Sequence, residues 1–190
     1  RVWSFRAFAA KSVRAVREKS GAGMLDCKKA WQDADGDMER AAELLRERGI
    51  AKAVKKEGRI AAEGVVGAYV AGNTGVLVEV NCESDFVSKG EKFHGIVDTV
   101  AKVIAEHKPA DVEALNACPA EGGTVKDFIT SQTAVIGEKI SIRRFEIYQT
   151  EGKIETYIHM GGKVGVMVDA VDCAAGCEET LHDVALQIAA

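Results

Sequence analysis

The sequence is poor in the features that announce most chemistries. No apolar run in its 190 residues approaches the roughly 18 to 20 that a helix needs to cross a bilayer, so no membrane-spanning helix is expected. Basic charge is not in excess: 25 Lys and Arg stand against 29 Asp and Glu, a formal net charge of -4. A partner held chiefly through its phosphates would select a basic surface, so no direct nucleic-acid partner is expected. Cysteine is present but unpatterned. Cys27, Cys82, Cys118, Cys173 and Cys177 are scattered, and only the last two stand close, as C-x3-C without a neighbouring His or a second pair. Zinc sites carry C-x2-C repeats or Cys/His clusters, which leaves free thiols in a reducing compartment as the expectation, and no metal.

Nucleotide-binding loops are missing too. Gly21 and Gly23 of "GAGMLD" follow a helical stretch and are succeeded by Asp26 where G-x-G-x-x-G needs a third glycine. Gly162 and Lys163 have Tyr157 where the first glycine of a P-loop would stand. His94, His107, His159 and His182 fit no metal-binding helix spacing, and no local nucleophile is set beside a base. Neither a cofactor nor an enzyme is expected.

What the chain does contain is an α+β order of segments. Residues 1–10 mix Arg with Trp and Phe, and no acid appears before Glu18, a composition shared by organelle-targeting remnants and by plain basic helix starts. Residues 11–50 read as three short helices. Val13 and Val16 open the first, which Gly21 and Gly23 break, and "LDCKKAWQDA" forms the second. Asp37 is positioned to cap "MERAAELLRER", whose Met38, Ala41, Ala42, Leu44 and Leu45 make one apolar face, and Gly49 is expected to end it. A module of this size has a small core. Residues 51–64, rich in Ala and Lys, read as a helical linker with a solvated basic face.

After Gly64 the periodicity changes to that of strands. "VVGAYV", the turn "AGNT" and "GVLVEVN" predict a hairpin, and residues 93–106 return to helical spacing. "VKDFITSQTAVIG" predicts a helix and "KISIRRFEIYQ" a strand. The far end repeats the plan: "IETYIHMGGKVGVMVDAV" sets Tyr157 and "GVMV" where Tyr69 and "GVLV" stood, and "LHDVALQIAA" echoes "FHGIVDTVAKVIA". The core therefore reads as two related β-hairpin and helix subdomains with antiparallel sheets, residues 65–148 and 149–190.

The first copy runs from its strand into "NCESDFVSKGEKF", the second into "VDCAAGCEETL", which lacks an acid-Phe-Val triplet. The fold evidently does not need that triplet at such a corner. Phe86 is either an anchor under the following helix or a side chain displayed for a partner, and the asymmetry shifts the balance toward display.

"KSGAGMLDCKKAW", "DGDMERAAELLRERG", "EGVVGAYV", "VEVNCESDFVSK" and "IGEKISIRRFE", in this order, resemble elongation factor Ts, the family that exchanges guanine nucleotide on elongation factor Tu in bacteria and organelles. The resemblance covers roughly residues 12–190 and implies a UBA-like three-helix amino-terminal domain before the two core subdomains. It implies that Asp85, Phe86 and Val87, matching a T-D-F-V motif with Ser84 in place of Thr, wedge beside the magnesium and phosphate end of elongation factor Tu. It also implies GTPase contacts for Arg17, Met24 and Leu25, with Leu25 replacing a second Met, and for His159. Longer members continue past the position matched by Ala190. An organellar member in the mitochondrial matrix is the expected setting, with plastid or bacterial cytoplasm as alternatives. The competing function is a UBA-like adaptor for ubiquitin-like or nascent-chain partners, which should work with residues 11–50 alone.

Overall fold

The computed structural model describes the backbone of residues 2–190 and the side chains of residues 11–190. The targeting reading of residues 1–10 thus falls on side chains outside those described. The chain divides into two compact units, Arg1–Gly58 with Thr130–Gly137, and Arg59–Ile129 with Glu138–Ala190.

The first unit is helical. Helix α1 (Val2–Ser20) stops at Gly21, whose φ of 64° is the left-handed conformation that an achiral residue adopts without strain. Helices α2 (Met24–Asp33) and α3 (Met38–Val54) follow. Asp37 caps α3 as expected, its carboxylate accepting the amides of Glu39 at 2.8 Å and Arg40 at 3.0 Å. Val13, Val16, Cys27, Ala30, Ala34, Ala41 and Leu45 form the buried centre. Helix α3 does not end at Gly49. It runs on to Val54, since a glycine inside a helix costs about 1 kcal/mol without ending it, and at Gly49 an added methyl would meet Ala134 at 3.1 Å. Gly49 thus serves a close contact, and the last turns of a later helix, Val125–Ile136, lie in this unit. The stretch read as a helical linker is helical only to Val54; turns and extended chain carry it on to residue 63.

The second unit is built on strands β1 (Glu63–Ala71) and β2 (Thr74–Cys82), paired in the expected hairpin. Two helices follow, α4 (Asp85–Ser88) and α5 (Glu91–His107), then α6 (Val112–Ala117) and the short ladder of β3 (Pro119–Ala120) with β4 (Gly123–Thr124). Helix α7 (Val125–Ile136) leads to β5 (Ser141–Gln149), which pairs antiparallel with β2 to give the sheet order β1-β2-β5. A second hairpin, β6 (Lys153–His159) and β7 (Val164–Ala170), and helix α8 (Glu178–Ala189) close the chain.

Strand alternation decides what covers the sheet. On one face Val76, Val78 and Val80 are buried beneath α5, whose inward side holds Phe93, Ile96, Val97, Val100, Ala101 and Ile104. Gly67 allows this approach, since a Cβ there would lie 2.3 Å from Val97. The other face receives the β6–β7 hairpin, tied by the Val66 amide donating to the Gly162 carbonyl at 2.7 Å. Helix α8 packs on β6 and β7. The thiol expectation holds for Cys27, Cys82 and Cys118 but not for the other pair: Cys173 and Cys177 form a disulfide. The turn between β7 and α8 brings their Cα atoms to 6.2 Å, inside the range a disulfide spans.

Candidate partner-binding surface

Strand β2 ends at Cys82, and the chain turns at once into α4. Ser84 is the pivot. It is extended (φ -122°, ψ 155°) and caps the helix, its Oγ accepting the Val87 amide at 3.4 Å while its carbonyl accepts the Ser88 amide at 3.2 Å. Ser88 is buried and donates its hydroxyl to the Asp85 carbonyl at 3.1 Å. With Ser88 turned inward, Asp85 and Phe86 are turned out, and the Gly90 amide closes the turn on the Val87 carbonyl at 3.0 Å. Phe86 is 88% exposed, which removes the buried-anchor reading; Phe93, at 1%, is the anchor on this side of the core. Val87 is half-buried.

Asp85 is not a solitary charge. The Lys89 ammonium one turn later donates to it at 2.8 Å, holding the carboxyl below the usual carboxylate range and raising Lys89. Both groups are solvated, so the pair is screened and readily opened. Beneath the corner the Cys82 thiol is pushed up to about 11, first by burial and then by the nearby Glu138 charge, which makes it inert. Lys89 was available to sequence reasoning as an i,i+4 partner. Glu138 was not. Its carboxylate accepts both the Ser84 amide at 2.9 Å and the Ser84 hydroxyl at 2.6 Å, across 54 positions of sequence.

In the first unit, Arg17 lies on the exposed last turn of α1, and Met24 and Leu25 open α2. Met24 is 41% and Leu25 83% exposed. Helix α2 contributes Cys27 and Ala30, on its next turn, to the module's core, so a core role does not account for Leu25. His159 ends β6, exposed, with Nδ1 2.9 Å from the Tyr157 hydroxyl. Tyr157 also meets the His182 ring edge-on at a centroid distance of 5.7 Å. The expected residues thus fall in three places: the α4 turn, the α1–α2 turn and the end of β6. Every one of them but Val87 is exposed. Among the described residues no cluster of three His, Cys, Asp or Glu could hold a metal ion, and no helix is long and apolar enough to cross a membrane.

A family model described as "Elongation factor TS" matches residues 83–190, from the α4 corner to the last helix. Curated relatives cover nearly the whole chain. Elongation factor Ts of Chromobacterium violaceum is 48% identical over 181 residues, 95% of this chain and 61% of the relative. That of Clostridium perfringens is 47% identical over 188 residues, 95% of this chain and 62% of its own length. That of Streptococcus suis is 50% identical over 182 residues, covering 94% of this chain and 51% of the relative. The chain therefore spans about three-fifths or less of the length of these bacterial relatives. With the matched span beginning at the exposed turn, and nearly half of all aligned positions identical, the chain belongs to the elongation factor Ts family.

Proposed function

We propose that this chain is a guanine-nucleotide exchange factor: it binds elongation factor Tu carrying GDP and promotes GDP release, so that GTP can rebind. The observation that carries the reading is Phe86, a large apolar side chain 88% exposed on a turn capped at both ends. Burying such a side chain in a partner is worth roughly 1.5 to 3 kcal/mol, the size of an interface hot spot. Asp85 stands beside it. A bound magnesium ion demands near-ideal octahedral geometry, so a carboxylate and an aromatic ring pressed against its surroundings disturb it at small displacement. Once the Lys89 pair opens, Asp85 delivers its charge there. Arg17, Met24 and Leu25, with His159, supply further contacts to the GTPase. No bond is made or broken.

The finer architecture belongs to the same proposal. Residues 11–50 form a UBA-like domain, 51–64 the linker, and 65–148 and 149–190 two related subdomains, the second incomplete. The hairpin registers support the relation: Tyr69 pairs with Val76, and Tyr157 with Val166. The bacterial relatives favour a bacterial cytoplasm as the setting, whereas the mitochondrial reading rests on the composition of residues 1–10. An adaptor confined to residues 11–50 is disfavoured, since the family match lies at 83–190, outside that module.

Exchange obliges a thermodynamic symmetry: a factor that weakens GDP must itself be weakened by GDP in the same ratio. Titrating the chain into nucleotide-free and into GDP-saturated elongation factor Tu tests this. The reading requires tighter binding to the nucleotide-free form; equal affinities, or none, would reject it.

A further inference from the structure

The ladder between β2 and β5 runs as far as Asn81 opposite Ser141 and then stops, yet the two chains stay joined. Beyond that pair the backbone carbonyls give way to carboxylates. Glu83 Oε1 accepts the Lys139 amide at 2.6 Å, and Glu138 accepts the Ser84 amide at 2.9 Å and hydroxyl at 2.6 Å. Each acid thus satisfies a backbone donor of the opposite chain. Arg59 Nη1 lies 3.2 Å from Glu83 and holds it from the outer side. The substitution has a consequence for the chain direction. Tied by its N–H to a side chain, Ser84 is free of the ladder, and its carbonyl becomes the first acceptor of α4, taking the Ser88 amide at 3.2 Å.

We infer that Glu138 is a positioning residue for Phe86: with Glu83 it forms a reciprocal clasp that fixes Ser84 and therefore the turn on which Phe86 is displayed. Charged acceptors make the stronger hydrogen bonds, and a four-residue helix has too few internal bonds to hold its own direction. Without the clasp, Phe86 would meet a partner from a range of orientations, and the ordering would be charged against binding. The inference rests on the exchange-factor reading for its functional half and on the amides of α4 alone for its structural half.

The test uses the whole chain with Glu138→Ala and Glu138→Gln, the latter keeping an acceptor for the Ser84 amide. Hydrogen exchange of the Val87, Ser88 and Lys89 amides should be about tenfold faster in Glu138→Ala, with the core amides of α5 unchanged, and Glu138→Gln should recover part of the protection. The chain concentration that half-saturates GDP release from elongation factor Tu should rise at least about fivefold in Glu138→Ala and recover in part in Glu138→Gln. On a Phe86→Ala background the same change should add almost nothing, because residues acting through one contact are not additive. A full-sized further loss on that background would overturn the inference, as would α4 amides that keep their protection. Should Glu138→Ala fail to fold, Glu138→Gln, which leaves the Ser84 cap on the Val87 amide in place, is compared with the unaltered chain, and the same amide and background readings decide. If the unaltered chain does not accelerate GDP release, the exchange reading fails, and the α4 amides still decide whether the clasp holds the turn.

Discussion

Two phenylalanines seven positions apart make a controlled comparison. Phe93 is 1% exposed under the sheet and Phe86 is 88% exposed on α4. Truncating Phe93 to Ala leaves a cavity in the core and should cost about 3 to 5 kcal/mol. In a domain of this size each kcal/mol lowers the melting temperature by roughly 2 to 4 °C, so the loss is about 6 to 20 °C. Truncating Phe86 removes a side chain that touches mainly water, and such surface changes stay within about 0.5 kcal/mol, or roughly 2 °C. On a partner the ranking reverses. If most of the ring is buried there, its loss removes roughly 1.5 to 3 kcal/mol, or a factor of about 10 to 150 in affinity. Calorimetry on both variants, followed at the transition that Phe93→Ala shifts, gives the stability side. The chain concentration that half-saturates GDP release from elongation factor Tu gives the other. A Phe86→Ala protein that melts as early as Phe93→Ala, or that exchanges nucleotide normally once folded, would refute the reasoning.

Thiol counting checks the cysteine assignment: of the five cysteines only the half-exposed Cys118 should react promptly in the unreduced native chain, with Cys27 and Cys82 reacting on denaturation and Cys173 and Cys177 only after reduction. Five reactive thiols without reductant would remove the disulfide. For Asp85, whose folded carboxyl is held down by Lys89, the ion pair contributes above the unfolded midpoint and is lost as pH falls through the folded one. A carboxyl-carbon NMR titration should therefore show the Asp85 midpoint rising in Lys89→Met, and an unchanged midpoint would mean the pair is not formed in solution. Leu25→Ser should leave the first unit's melting unchanged while weakening partner binding several-fold, because Leu25 is 83% exposed; early melting would place it in the core.

Local signals carried the elements and long-range contacts escaped. The hairpin of β1 and β2, the apolar side of α5 and the Asp37 cap each depend on residues a few positions apart, and each was legible from spacing alone. Gly49 misled, because its role is set by Ala134, far along the chain, and not by the helix it sits in. The exposure of Phe86 was legible only indirectly, through the second hairpin unit doing without such a triplet. Glu138 carried no local mark at all: an acid before a strand reads as a solvated charge, and only the fold brings it to Ser84.

The central claim is that this chain speeds the loss of GDP from elongation factor Tu, and stopped-flow release of a fluorescent GDP analogue measures that directly. Elongation factor Tu loaded with the analogue is mixed with excess unlabelled GDP and substoichiometric chain. Exchange requires that all of the label leave faster than it does unaided, with a rate that rises with chain concentration and then saturates. Release at the intrinsic rate, under conditions where binding of the chain is verified, would contradict the claim.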